Sequence, residues 1–423
     1  MSTRMNYHVY LDIVHPGCLP NLVSCSRIYQ FLTTNGHTLT SDPLSADFII
    51  ISTCGFSNLS QENSLTMFKH HQAEKKETTR IIIYGCLVHI NPGSIPTSDA
   101  ILVGLHDTNT LDTLFYRTVH FQDVAPFCLN ELKERFTVDS RPLLWRVVPF
   151  LLTNILTLFS SQIKKRRDSI ITAVARKQRD FVQISQGCIG KCSYCVIKKA
   201  RGSLRSRPLE DILHDITCIA SPDHSLFLVA DDCGSYGLDI GTNLFELLYT
   251  IQQRHPNLPL DINYLNPQWL IASPKEYIRL FFNLDIKSVI IPMQSGSQQV
   301  IERMNRSYDV RKTVSVINRI RQVSPNTVLY GHFIIGFPGE TFRDYLKSLF
   351  TVRYFDYPVA FLYSDTKGAE SVNLPHKIPT SIIFLRWVLF FAVINVTNAL
   401  RIIQQTFYTK KFLVLKKSGE SDL

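Results

Sequence analysis

The sequence predicts an α/β protein, in which an N-terminal parallel α/β domain precedes an open (βα)6 barrel. Short apolar runs bounded by turn residues alternate with segments of helical spacing through most of the chain. Strands that are apolar throughout are typical of a parallel sheet covered by helices. The chain has 423 residues, which is long enough for two or three domains with separate cores.

The first part of the chain contains four predicted strands, in YHVYLDIV, ADFIIIST, RIIIYGC and DAILVG. Three cysteines lie at strand ends and next to glycines, namely Cys18, Cys54 and Cys86. The carboxyl ends of parallel strands face the binding crevice of an open sheet. We therefore expect these three thiols to converge there and to hold an iron–sulfur cluster of their own. Buried free cysteines are also common core residues, and this alternative stays open.

Six further βα units follow, from the strand FVQIS to the strand VAFLYS. Six units fall short of a closed eight-unit barrel and predict an open one, with its chemistry at the carboxyl ends of the strands. We therefore expect an N-terminal domain, an insertion or linker, a barrel domain and a C-terminal segment, over residues 1–120, 121–179, 180–365 and 366–423.

The run GCIGKCSYC places Cys188, Cys192 and Cys195 in a C-x3-C-x2-C spacing, directly after the first barrel strand. Three thiolates on one loop can ligate three irons of a 4Fe–4S cluster. No fourth cysteine follows at close spacing, so one iron stays open, and in radical enzymes S-adenosylmethionine occupies it. A zinc site, which needs four ligands, and chance are the alternatives.

Composition excludes several classes of protein. The hydrophobic fraction is 45% with 26 Phe, which excludes a disordered chain. Ten cysteines over this length are too dilute for a disulfide-stapled secreted scaffold. The first residues contain no apolar stretch of the signal-peptide kind, so we expect a cytoplasmic location, where thiols stay reduced.

The net charge of +10 is unevenly placed, because the segment 141–179 holds nine basic residues and one acidic residue. Such a segment indicates an anionic partner, either nucleic acid or a membrane surface, although a solvated linker is an equal alternative. The charge-free run VVPFLLTNILTLFSSQI precedes KKRR and contains Pro149. Its length is at the lower limit for a membrane span, so we expect peripheral membrane contact or helix packing from it.

With these residues in place, the chain resembles the radical S-adenosylmethionine methylthiotransferases. The likeness rests on GCLPNLVSCSRI, TCGFSNLSQENS, QGCIGKCSYCVIKKARGSLRSRP, DDCGSYGLDIGTNL and IIGFPGET. It implies an enzyme with two 4Fe–4S clusters, the auxiliary one on Cys18, Cys54 and Cys86, and with S-adenosylmethionine as radical source and methyl donor. We further expect contacts to S-adenosylmethionine from six residues at strand ends or loops: Tyr194, Asp232, Gln294, Ser295, Gly336 and Gly339.

The resemblance divides over the substrate. The radical domain is most similar to the branch that modifies threonylcarbamoyl-adenosine in tRNA, and tRNA is therefore the first expectation. The GCxxN and TCGF runs are similar to the branch acting on a ribosomal-protein aspartate, which makes a protein or peptide side chain the alternative. A degenerate iron–sulfur protein for electron transfer or sensing is a third possibility. An electron donor such as flavodoxin or ferredoxin is implied.

Family members end in a basic β-barrel, the TRAM domain, of which KKFLVLKK resembles one strand before GESDL closes the sequence. One strand cannot form a barrel, so we expect a truncated TRAM remnant. The basic insertion is then the candidate for holding the substrate in its place.

Overall fold

The computed structural model describes residues 6–15, 18–96, 98–128, 179–221 and 223–394. Most of the apolar and basic insertion and the TRAM-like strand lie outside the described residues, so the predictions made for them stay predictions.

The N-terminal domain contains a five-stranded sheet in which every strand pair is parallel, in the order β2-β1-β3-β4-β5. Its strands are β1 (His8–Ile13), β2 (Thr38–Leu39), β3 (Phe48–Thr53), β4 (Arg80–Gly85) and β5 (Ile101–Val103). Its helices are α1 (Leu19–Thr34), α2 (Asn58–Glu74), α3 (Cys86–Ile90) and α4 (Thr108–Phe115). This order has a topological switch point between β1 and β3, where open sheets bind ligands.

Local chemistry explains where these elements form. The runs FIIIST and RIIIYG are buried along nearly their whole length, as parallel strands between helical layers must be. The side chain of Ser57 accepts a hydrogen bond from the backbone N–H of Ser60 and begins α2, and Asp107 begins α4 in the same way through Thr110.

A second sheet has the order β14-β13-β12-β11-β10-β7-β6. Its parallel strands are β7 (Arg179–Gln183), β10 (Ser225–Val229), β11 (Leu260–Ile262), β12 (Ile286–Gln294), β13 (Val328–Ile335) and β14 (Tyr357–Leu362). The short strand β6 (Phe127–Cys128) pairs antiparallel with β7 at one edge. Among the described residues the sheet does not close, so the predicted parallel N-terminal domain and open (βα)6 barrel are confirmed.

Helices cover the outside of the barrel. They are α5 (Ile197–Arg201), α6 (Leu209–Ile219), α7 (Leu244–Arg254), α8 (Pro267–Ala272), α9 (Pro274–Asn283), α10 (Gln298–Arg303), α11 (Val310–Val323) and α12 (Phe342–Thr351). A further helix, α13, runs over 380–394, and a two-stranded ribbon joins β8 (Ser185–Gln186) to β9 (Arg205–Ser206). Short 3-10 turns lie at Pro43–Ser45, Pro92–Ser94, Phe121–Asp123, Cys233–Ser235, Val352–Tyr354 and Glu370–Asn373.

A buried polar cluster fastens three barrel strands together. Arg179 at the start of β7 donates to Asp261 at 3.3 Å and to Ser288 at 3.2 Å, and Ser288 also donates to Asp261. The Asp261 side chain is fully buried, where an unpaired charge would be costly. The pairing therefore ties β7, β11 and β12 together inside the barrel.

The two domains share a core. Inward-facing Phe181, Phe227 and Val229 of the barrel belong to the same buried apolar cluster as Val9 and Leu22 of the N-terminal domain. Polar contacts add to it, because His106 is hydrogen-bonded to the backbone oxygen of Arg201 at 3.1 Å. The N-terminal sheet is therefore packed against the barrel.

Within the described ranges, no helix combines the length and the apolar character that a membrane crossing requires.

The packing of β13 against the turn before β14 makes a stability prediction. A Cβ added to Gly331 would lie 2.5 Å from Cγ of the fully buried Phe355, whereas one added to Gly93 would meet no atom within 4 Å. We expect Gly331→Ala to lower the free energy of unfolding by about 1–3 kcal/mol through overpacking. Anaerobic urea unfolding of the cluster-loaded protein measures this, with Gly93→Ala as matched control. Equal urea midpoints for the two variants would contradict the packing described.

Candidate active site

The loop with Cys188, Cys192 and Cys195 lies between β8 and α5. Ser193 anchors it, because its N–H donates to the backbone oxygen of Met304 at 3.0 Å and its hydroxyl donates to the backbone oxygen of Arg303 at 3.0 Å. The loop is therefore held against the end of α10, with Cys188 and Cys192 half-buried and Cys195 exposed.

Two sulfur atoms of this loop lie over Gly190. A Cβ at this position would come within 3.2 Å of Cys188 Sγ and 3.8 Å of Cys192 Sγ, and the Gly190 N–H donates to Cys188 Sγ at 3.2 Å. Burial raises the pKa of Cys188 to about 12, with further contributions from Asp232 and from the neighbouring thiols Cys192 and Cys195. Thiols that raise one another's pKa in this way lie close together, and a metal cluster that binds them as thiolates removes the cost of their charge.

Cys18, Cys54 and Cys86 are also brought together, at the carboxyl ends of β1, β3 and β4. Cys54 and Cys86 are buried, and Cys18 is half-buried. Burial, and to a smaller extent the nearby Cys18, raises the pKa of Cys54 to about 11. Burial also raises the pKa of Cys86 to about 12. The positive charge of Arg201 opposes this rise, whereas Cys18 and Cys54 add to it. Parallel pairing thus gathers three thiols from distant parts of the sequence at the switch point of the sheet.

Gly85 sets the position of Cys86 next to Cys54. Its φ of +114° is unfavourable for other residues, and a Cβ there would lie 2.8 Å from the backbone oxygen of Thr53. Ser64 fixes the neighbouring strand end, because its hydroxyl accepts a hydrogen bond from the Cys54 N–H at 3.1 Å.

Both cysteine groups have the donor set of an iron–sulfur cluster. Each supplies three thiols, whereas a zinc site requires four ligands at about 2.0–2.3 Å from a single centre. A 4Fe–4S cluster distributes its cysteines over separate irons, and three cysteines leave one iron open.

Arg201 lies beside the N-terminal group, at the end of a helix that packs against α3. Its side chain is buried and pairs through Nε with Asp231 Oδ1 at 3.2 Å. The other carboxylate oxygen, Asp231 Oδ2, accepts the N–H of Gly187 at 2.8 Å, directly before Cys188. Neither residue was predicted from the sequence as part of the site, since an Arg in the last turn of a helix is an ordinary partner of the helix dipole. The sequence feature that could have indicated Asp231 is the pair of aspartates, DD, at the end of a barrel strand.

The predicted contacts Tyr194 and Asp232 belong to one polar network. Arg306 donates to the Tyr194 hydroxyl at 2.8 Å and to Asn266 Oδ1 at 2.7 Å. Asp232 accepts the indole N–H of Trp269 at 2.8 Å, and burial raises the pKa of its carboxyl to about 6. Protein groups therefore already bond the Asp232 carboxylate, and its contact with S-adenosylmethionine stays a prediction.

Gln294 and Ser295 face different environments. Gln294 ends β12 with a φ of +60°, and its buried Oε1 has no hydrogen-bond partner among the described residues, as expected of a group that awaits a ligand. Ser295 is fully buried and its hydroxyl bonds Ser348 of α12 at 3.2 Å. The Ser295 hydroxyl therefore helps to hold α12 against the sheet, and a contact of Ser295 with S-adenosylmethionine stays a prediction.

The space beside Gly336 and Gly339 is filled by side chains of the protein. A Cβ on Gly336 would lie 2.5 Å from Ile383 of α13, and one on Gly339 would lie 3.1 Å from Arg303. The two glycines therefore allow α13 and the Arg303 side chain of α10 to pack closely against this turn. Their contact with S-adenosylmethionine stays a prediction.

Other polar atoms without partners lie at strand ends of the barrel and in the loop between α10 and α11. Ser185 Oγ, Asn263 Oδ1 and Arg306 Nε are buried and, within the described part of the chain, unbonded. Buried polar atoms are costly unless a ligand or water satisfies them. Donors and acceptors around the mouth of the barrel are suited to a ligand with amino, carboxylate and ribose groups, which S-adenosylmethionine carries.

An aromatic wall joins the barrel to the N-terminal domain. The ring of His332 lies 5.6 Å from Tyr264 and 5.1 Å from Phe361, which lies 6.3 Å from the exposed Phe56, two residues after Cys54. Burial lowers the pKa of His332 to about 4, so its imidazole is neutral at pH 7. The wall therefore supplies an apolar surface next to the N-terminal cysteine group.

Comparison with known families agrees with this arrangement. Residues 182–352 match the model of the Radical SAM superfamily, and residues 10–104 match that of Uncharacterized protein family UPF0004. A solved structure with a similar fold is the radical S-adenosylmethionine methyltransferase TsrM from Kitasatospora setae, with cobalamin and a [4Fe-4S] cluster bound. The superposition has a TM-score of 0.54 and a sequence identity of 15%, and it covers 85% of this chain and 75% of that chain. This likeness concerns the fold.

Curated relatives carry a more specific name. The ribosomal protein uS12 methylthiotransferase RimO of Thermotoga sp. is 26% identical over 86% of this chain and 78% of the relative. That of Microcystis aeruginosa is 28% identical over 88% and 79%, and that of Nitratiruptor sp. is 26% identical over 91% and 81%. The chain belongs to the radical S-adenosylmethionine methylthiotransferase family, enzymes that transfer a methylthio group with two 4Fe–4S clusters and S-adenosylmethionine.

Proposed function

We propose that this enzyme inserts a methylthio group into a C–H bond of a protein side chain, with ribosomal protein uS12 as the first candidate substrate. The observation that carries the proposal is the similarity to uS12 methylthiotransferases, which extends over 86–91% of the chain. The tRNA substrate that the sequence analysis placed first gains no support from these relatives, and it becomes the alternative outcome of the test below.

The arrangement of the two cysteine groups supports a methylthio transfer. When bound, the cluster on the barrel loop with S-adenosylmethionine supplies a hydrogen-abstracting radical, and the auxiliary cluster supplies sulfur. The chain has to hold both groups beside one substrate, and the shared domain core around Phe181 and Val229 keeps the two cysteine loops in fixed relation. The neutral His332 and its aromatic neighbours would exclude water from the reacting carbon.

Charge around the barrel loop supports an acidic side chain as the target. Lys191, Lys198 and Lys199 are exposed on or next to this loop, and Lys198 Nζ lies 3.3 Å from the Gly190 oxygen. A cationic rim attracts a carboxylate substrate and raises its local concentration. An aspartate of a ribosomal protein, the target implied by the resemblance, meets this condition.

Other parts of the expected function remain predictions. They are the flavodoxin- or ferredoxin-like electron donor, the cytoplasmic location, and nucleic-acid or membrane contact through the basic insertion, which mostly lies outside the described residues.

Iron content tests the two-cluster site. We expect about eight irons per chain after anaerobic reconstitution, because each trio of cysteines holds one 4Fe–4S cluster. The variant with Cys188, Cys192 and Cys195 all changed to Ala should retain about four, and so should the variant with Cys18, Cys54 and Cys86 changed to Ala. About four irons in the wild-type protein, or zinc in place of iron, would refute the assignment.

The substrate is tested by incubating the reconstituted enzyme, S-adenosylmethionine and dithionite with purified uS12 or with bulk tRNA. Mass spectrometry should find a methylthio adduct on an acidic residue of uS12 and no new nucleoside. The control is Cys54→Ala, which should still cleave S-adenosylmethionine to 5′-deoxyadenosine but form no adduct, because the barrel loop is intact. A methylthiolated nucleoside without a protein adduct would show that the substrate is tRNA.

A further inference from the structure

Arg201 is a buried cation whose pairing is incomplete. Its side chain is only 2% exposed, and the ion pair with Asp231 uses Nε. A buried charge is tolerated when its partners satisfy it, and removing a partner is strongly destabilising. The fork of a guanidinium offers further N–H groups that need acceptors.

The Nη1 atom of Arg201 has no such acceptor. It is buried, and no hydrogen-bond partner for it is found in the described ranges of the chain. An unsatisfied buried donor is destabilising, and more so when it belongs to a charged group. A protein retains such a donor where a ligand provides the missing acceptor.

The surroundings of Arg201 indicate which ligand this is. Helix α5, which Arg201 ends, packs against α3, which begins at Cys86. This packing places the buried Arg201 side chain beside the N-terminal cysteine group. In agreement, Arg201 lowers the pKa of Cys54 and Cys86 and so opposes the effect of burial on both thiols.

Asp231 fixes this orientation. Because one of its oxygens receives Nε and the other receives the Gly187 N–H at 2.8 Å, the carboxylate cannot rotate without losing a buried hydrogen bond. The backbone oxygen of Arg201 is hydrogen-bonded to the His106 ring at 3.1 Å. This contact also holds the end of α5 against the N-terminal domain.

We propose that Arg201 is a positioning residue for the auxiliary cluster, whose sulfur atoms accept a hydrogen bond from Nη1 and whose reduction potential its positive charge raises. A cation beside a cluster stabilises the reduced, more negative state, and hydrogen bonds to cluster sulfur act in the same direction. This inference goes beyond the proposed substrate and holds for a protein or an RNA target alike.

The test measures the potential of the auxiliary cluster alone. In the background Cys188→Ala, Cys192→Ala and Cys195→Ala, only the auxiliary cluster is loaded, and its signal is followed by electron paramagnetic resonance during a redox titration. We compare Arg201→Lys, which retains the positive charge, with Arg201→Gln, which retains a donor but removes the charge. The potential of Arg201→Gln should be more negative than that of Arg201→Lys and of the parent, at equal signal per bound iron.

The matched control is Arg321→Gln, since Arg321 is also buried and paired with a carboxylate, that of Asp356, away from both cysteine groups. It should lower stability without moving the potential. Equal potentials for Arg201→Gln and Arg201→Lys would overturn the proposal, and so would an equal shift in Arg321→Gln. If Arg201→Gln loads iron incompletely, the potential of the loaded fraction still decides, because the titration midpoint does not depend on occupancy.

Discussion

The carboxylate of Asp231 is the link between the two halves of the site. One oxygen pairs with Arg201, which faces the N-terminal cysteines, and the other accepts the N–H of Gly187, which precedes the barrel cysteines. The Asp231 side chain is mostly buried, and there electrostatic interactions are strengthened and an unpaired group is costly. Asp231 therefore orients both the loop that leads into the barrel cysteines and the guanidinium of Arg201, while the shared apolar core holds the two domains together.

Much of the fold could be predicted, because strands buried on both faces leave long apolar runs such as FIIIST and RIIIYG in the sequence. Strands β2 and β6 could not, since two residues carry no period, and their extended form depends on pairing with β1 and β7. The packing of α13 onto the turn at Gly336 could not be predicted either, because it brings together segments that are far apart in the chain.

The same distinction applies to the site. The barrel cysteines were found through local spacing, and Cys18, Cys54 and Cys86 through the rule that parallel strands end at one edge. Arg201 and Arg306 were not found, because a buried arginine differs from a surface one only through its tertiary neighbours. Gly336, Gly339 and Ser295 were predicted as cofactor contacts from their place at strand ends or loops, and this stays a prediction. Their packing against α13, α10 and α12 could not be predicted, because it depends on tertiary neighbours.

The central claim is that two clusters, held by separate domains, lie close enough together to act on one substrate. Magnetic coupling between them tests it most directly, because dipolar interaction between two reduced clusters falls steeply with distance. The account predicts that the electron paramagnetic resonance spectrum of the fully reduced wild-type enzyme is broadened or split relative to the sum of the two single-cluster variants. A wild-type spectrum identical to that sum, at full iron content, would contradict it.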